Sequence, residues 1–225
     1  MKKNLLILII TSALISCGQE HKSTSVLVSK EIKTSNTANS SELQETTPIS
    51  NDKYIDTKHV YVDFDGSEII IKNSLPKGGL KYTAPNSKEY VYAVFWTQIT
   101  NKTNSLLELK MGFTESSYQL PSSPDRFFKL FIPSETMTPD KETLFNYGFN
   151  LEKYLNDEFN NKTNLIRTVN PKSSNGFYIL TLFNKPVNGT LRTELSLNED
   201  KILYRVNDRI IECGKINLKQ LKLIK

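Results

Sequence analysis

In VYVDFDGSEI, residues 60–69, two carboxylates stand two positions apart, Asp63 and Asp65, with Gly66 directly after them. Paired carboxylates suit chemistry in which one attacks and the other moves a proton, and their oxygens are also the ligand type that calcium takes. The same Asp65-Gly66 step, set between HVYVDF and EIIIKN, is a strong signal for a β-hairpin turn. Other reactive side chains are sparse. The two cysteines are Cys17 and Cys213, and the two histidines are His21 and His59. A zinc site needs several His or Cys ligands, and the region beyond the tail offers only His59 and Cys213. A Ser-His-Asp arrangement would depend on His59, and no Gly-x-Ser-x-Gly segment is present. KGG at 77–79 is too short for a phosphate-cradling loop. No catalytic residue, metal site or cofactor is expected from these patterns.

The apolar run into Asp63-x-Asp65-Gly66 resembles the first motif of haloacid dehalogenase-type phosphatases. That resemblance implies Asp63 as the group attacking phosphorus, Asp65 as the proton shuttle, and a downstream acidic pair holding magnesium. The chain departs from the family after Gly66. It runs straight into EIIIKN, another strand, where a parallel α/β sheet requires a helix, and it contains no Asp-Asp or Gly-Asp-x-x-x-Asp. The expectation is therefore a turn, with a phosphatase using Asp63 and Asp65 as the alternative.

The first residues carry an address. Lys2 and Lys3 precede LLILIITSALI, an apolar run shorter than the roughly 20 residues of a transmembrane helix but suited to a secretory leader. LISC, Leu14 to Cys17, then resembles the lipobox of bacterial lipoproteins. The resemblance implies cleavage before Cys17 and lipidation of its sulfur and new amine. Several acyl chains together make a stable membrane anchor, whereas one alone holds marginally. Gly18 in place of Asp after the cysteine resembles the sorting signal for the outer membrane, which implies a cell-envelope protein facing the periplasm or the surface. Residues 18–52 include 15 Ser, Thr or Asn among 35 and no aromatic, so they lack the apolar surface to offset ordering entropy. The expected organisation is a signal peptide at 1–16, lipidated Cys17 with a tether to 52, and one folded domain over 53–225.

Composition narrows the partners. The net charge of +5 falls to +3 once Lys2 and Lys3 are removed, and 24 lysines accompany only 5 arginines. Nucleic-acid grooves favour the bidentate guanidinium, so no nucleic-acid partner is expected. With Cys17 lipidated, Cys213 is left without an internal disulfide partner and reads as a small buried apolar residue.

The elements that would position any site are mostly strands. EYVYAVFWTQIT at 89–100 is a long strand pattern, and SLLELKMGF and RFFKLFIP follow. TPDKETLFNYG reads as a short helix with Thr138 as N-cap, Pro139 at the first position and Gly148 at its end. NLEKYLNDEF places Leu151, Tyr154, Leu155 and Phe159 at helical spacing. The last four strand patterns, GFYILTLF, TLRTELSL, KILYRV and RIIECGKI, read as an antiparallel meander. The predicted fold is mostly β, an antiparallel sandwich that resembles immunoglobulin-like domains of envelope proteins, with one or two short inserted helices. Side chains alternate across a strand, so Val91, Ala93, Phe95 and Ile99 share the expected core face and Tyr90, Tyr92 and Trp96 the other. Left open, the latter face would suit a protein or glycan partner; covered by the helices, it becomes a second core. The expected function is a non-enzymatic, lipid-anchored envelope module that binds such a partner.

Overall fold

The computed structural model describes residues 52–158, 164–218 and 221–224. Cys17, the leader and the tether up to residue 51 lie outside them. In chain order the strands are β1 (Ile55–Val62), β2 (Glu68–Ser74), β3 (Lys77–Thr83), β4 (Glu89–Asn101), β5 (Leu107–Gly112), β6 (Tyr118–Leu120), β7 (Ser123–Phe131) and β8 (Thr136–Met137). After two 3-10 turns, Pro139–Lys141 and Phe145–Gly148, comes α1 (Leu151–Glu158). The chain then forms β9 (Asn164–Val169), β10 (Ser173–Phe183), β11 (Thr193–Asn198), β12 (Lys201–Val206), β13 (Arg209–Ile216) and β14 (Lys222–Ile224).

These strands form two antiparallel sheets packed as a sandwich, as the alternation of apolar and polar residues predicts. One sheet runs β14-β1-β2-β4-β10-β7-β6, with β3 also on β4 and β8 on β10. The other runs β11-β12-β13-β5-β9. The expected four-strand meander is only three strands long. β10 leaves it and pairs with β4 along eleven consecutive positions, from Ser173 opposite Asn101 to Phe183 opposite Val91. Both β4 and β10 carry apolar residues on both faces, which suits the centre of a sheet covered from each side.

The inner faces meet in one core that includes Ala93, Phe95 and Ile99 of β4, Leu107, Leu109 and Met111 of β5, and Ile202 and Tyr204 of β12. The outer face of the larger sheet is covered by the segment between β8 and β9. Tyr147, Phe149, Leu151, Tyr154 and Leu155 pack there against Tyr90, Tyr92, Val94 and Trp96. α1 is the expected second helix. The first expected helix is instead the two 3-10 turns, and Thr138 makes no side-chain cap bond.

Buried amides join the sheets. Asn73 of β2 donates from Nδ2 to Thr57 Oγ1 (3.0 Å) and to the Leu195 carbonyl (3.1 Å). Its Oδ1 accepts from Thr97 Oγ1 and from Leu195 N, both at 2.9 Å. Two residues on, Leu197 N donates to the Tyr61 hydroxyl at 2.8 Å. Side chains of one sheet thus satisfy the backbone of β11, the edge strand of the other, and leave that edge less able to pair elsewhere. Asn101 does similar work where the chain crosses between sheets, donating to Ser105 O (2.8 Å) and Val169 O (3.1 Å).

Candidate binding site

The Asp63–Asp65 motif sits at the tip of the β1–β2 hairpin. Asp63 Oδ1 accepts the backbone N–H of Asp65 (3.0 Å) and of Ser67 (2.9 Å), and Gly66 lies at φ +77°. A carboxylate bound to the amides that follow it organises a turn, because Asp mimics a backbone carbonyl there. Strands β1 and β2 are antiparallel, so the phosphatase resemblance does not extend to the parallel sheet its chemistry requires. Among the described residues, no group of three or more His, Cys, Asp or Glu is placed to hold a metal ion.

Cys213 is buried on β13, its thiol donating to the Ile202 carbonyl at 3.5 Å, and burial pushes its pKa up to about 12. A thiol held neutral in this way is a poor nucleophile. His59, on β1, faces Glu194 of β11, and Glu194 also pairs with Arg205 of β12. Burial, helped by the Arg205 charge, holds His59 below its usual range.

Tyr90, Tyr92 and Trp96 do not form an open ligand face. Trp96 is only 1% exposed and stands edge-on to Tyr147 at 6.2 Å between ring centroids. An aromatic row left open would expose a large apolar area to water, and the helical segment removes that cost by covering it. Tyr92 lines the wall of a groove.

That groove, about 540 Å³, lies between β3 and the covering segment. It falls within the roughly 300–1,000 Å³ range of small-ligand sites. Its walls include Leu80, Tyr82, Tyr92, Phe145, Asn146 and Phe149. The covering segment takes an unusual path beside it. Asn146 (φ 48°), Tyr147 (φ 57°) and Gly148 (φ 69°) are three consecutive left-handed residues. For the two non-glycine residues that conformation costs roughly 1–2 kcal/mol each, and Asn bears it best. Tyr147 supplies the compensation. Its hydroxyl donates to Leu75 O (2.7 Å), its carbonyl accepts from the Tyr178 hydroxyl (2.8 Å), and its ring is fully buried. Lys77 adds a clamp, donating to the carbonyls of Glu142 (2.6 Å) and Leu144 (2.7 Å) while its ammonium lies 4.1 Å from the Tyr147 ring centroid. Burial lowers the Lys77 pKa, although Glu142 opposes this.

The turn this strain produces has two consequences. Phe145, two residues before the anchored Tyr147, is turned out to 70% exposure, and Leu80, which lines the same groove, is exposed as well. Asn146 is drawn in to 3% exposure, where Nδ2 donates to the Tyr92 hydroxyl at 3.2 Å. Asn146 Oδ1 and the Tyr82 hydroxyl are buried without a hydrogen-bond partner. Five other such atoms are spread over the described residues, among them Trp96 Nε1 and the Tyr204 hydroxyl; these two belong to residues that line one groove. Reading FNYG as a helix end hid this site. Asn146 and Gly148, both tolerant of the left-handed region, were the available signal that the segment turns instead.

A second cleft, about 290 Å³, is lined by Gly78 and Gly79 and shares Tyr92 with the first. Its walls include Val91, Phe183, Val187 and Leu191. Comparison with known proteins finds no matching family model, no matching curated sequence and no matching solved structure.

Proposed function

We propose that this chain is a lipid-anchored protein of the bacterial cell envelope, held to the outer membrane through Cys17, whose β-sandwich is a non-enzymatic binding module for an envelope protein or glycan. The groove between β3 and the 145–152 segment carries the binding part of this reading. It combines an aromatic wall, exposed apolar residues at Leu80 and Phe145, and two residues with buried polar atoms that lack partners. A strained backbone that positions such a surface is characteristic of sites where the strain serves a purpose. The anchoring part rests on the lipobox resemblance at LISC and on the polar tether after it.

A photo-reactive amino acid at exposed Glu152, on the groove wall, tests the binding site in cells. The expected result is a covalent adduct with an envelope component, absent when the probe replaces exposed Ile210 on β13. No adduct from position 152, or the same adducts from both positions, refutes the assignment. For the anchor, Cys17→Ser is expected to abolish incorporation of a fatty-acid analogue and leave an unprocessed precursor. Equal label in both proteins refutes it.

A further inference from the structure

We infer that the groove beside β3 takes a neutral oligosaccharide, with Tyr82 and Asn146 as its hydrogen-bonding residues; this rests on the binding reading above. Three observations point to that ligand class. The first is the pairing of unlike surfaces. The rings of Tyr82, Tyr92, Phe145 and Phe149 line the groove, and the same walls hold the unpartnered Asn146 Oδ1 and Tyr82 hydroxyl. An amide oxygen accepts only, whereas a phenol both donates and accepts. A sugar hydroxyl can donate to the first and exchange either way with the second. The C–H face of a pyranose then lies against the rings, as apolar faces of polar molecules do on aromatic walls.

The second is charge. The groove wall carries one charged residue of each sign, Lys81 and Glu152, both exposed, and Lys81 already pairs with Glu89 at 3.1 Å. Such a balance favours neither an anionic nor a cationic ligand.

The third is the shape of β3. A peptide partner would add as a strand along an unpaired sheet edge, through a regular ladder of backbone hydrogen bonds. The β3–β4 pairing jumps from Gly78 opposite Ala93 to Lys81 opposite Val91, leaving Gly79 and Leu80 in a bulge. Gly78 and Gly79 sit at φ +116° and +77°, and a Cβ on Gly78 would come within 2.8 Å of the Tyr92 ring. A bulge of this kind interrupts the ladder and turns the edge away from pairing. Of the two partner classes, the edge geometry disfavours the peptide and the wall chemistry suits the sugar.

The test uses the full chain in detergent and a panel of neutral soluble tetrasaccharides built from glucose, mannose, galactose or N-acetylglucosamine. Binding is read by calorimetry and by fluorescence of Trp96, which contacts the Tyr147 anchor beside the groove. At least one panel member is expected to bind saturably and to perturb the fluorescence. Tyr82→Phe keeps the ring, and Asn146→Gly keeps the left-handed backbone. Each is expected to weaken that binding by about tenfold or more; Tyr82→Phe keeps the wild-type melting curve, whereas Asn146→Gly, which also removes the bond to the Tyr92 hydroxyl, melts lower. If Asn146→Gly does not fold, Tyr82→Phe decides alone. No binding by any panel member at millimolar concentration, or wild-type affinity in the folded variants, overturns the inference. A protein adduct from the Glu152 probe together with a silent panel overturns the sugar and leaves the binding module standing. Silence in both experiments removes both.

Discussion

Asn73→Ala is expected to destabilise the domain by about 3–5 kcal/mol, more than its one small side chain suggests. In the native protein Asn73 is 2% exposed and makes four hydrogen bonds, two to the backbone of Leu195 and two to the hydroxyls of Thr57 and Thr97. Truncation leaves the Leu195 N–H, the Leu195 carbonyl and the Thr97 hydroxyl buried without partners. Each such group costs about 1–3 kcal/mol, and water entering the vacated space recovers part of the sum. The Thr57 bond is only partly buried and adds little. Against a total stability of about 5–15 kcal/mol this is a large fraction. For a domain of this size it corresponds to a fall in Tm of about 10 °C. Asn73→Leu refills most of the volume but restores no bond, so it is expected to lose nearly as much. Urea unfolding followed by far-UV circular dichroism measures both. A loss below about 1 kcal/mol in Asn73→Ala, or full recovery in Asn73→Leu, would show that packing alone holds β11 against the larger sheet.

Three further outcomes are expected. Gly66→Ala places a Cβ where nothing lies within 4 Å, so its cost is purely that of φ +77°, about 1 kcal/mol in urea unfolding; a neutral or stabilised variant refutes the turn geometry. Replacing Tyr92 and Trp96 together by Ser empties a covered face and is expected to cost about 5 kcal/mol or more; an unchanged melting temperature would mean that the 145–155 segment does not cover it. Burial, helped by the Arg205 charge, holds His59 below the ordinary imidazole range near 6.5, so the unfolded chain takes up its proton first on acidification. Its contribution is therefore intact above about pH 6.5 and lost as pH falls below it. His59→Gln is expected to flatten stability between pH 7 and 5, and identical profiles in the two proteins would count against the assignment.

Local signals were legible in the sequence. Asp65-Gly66 marked a turn because turn conformation is a property of the residues themselves, and Gly66 at φ +77° is the conformation that step favours. The two faces of β4 separated as alternation predicts, with Ala93, Phe95 and Ile99 in one core and Tyr90, Tyr92 and Trp96 in another. The 3.6-residue spacing of Leu151, Tyr154 and Leu155 gave α1, and the character of RIIECGKI placed Cys213 inside. What these signals share is short range. Alternation tells a strand which side is apolar, but any apolar face can meet any other. So β10 pairing with β4, about 80 residues earlier, rather than with β11 just after it, was decided by how whole faces fit. The cover over Trp96 was decided the same way, and it overrode the helical reading of FNYG, because burying Tyr147 offset the left-handed backbone of its neighbours. Asn73 read as one polar residue at the end of a strand until its partner, Leu195, was brought from 122 positions away. The groove exists only through that assembly, since its walls come from β3, β4 and the covering segment. No single stretch of sequence contains both Tyr82 and Asn146, which line one groove.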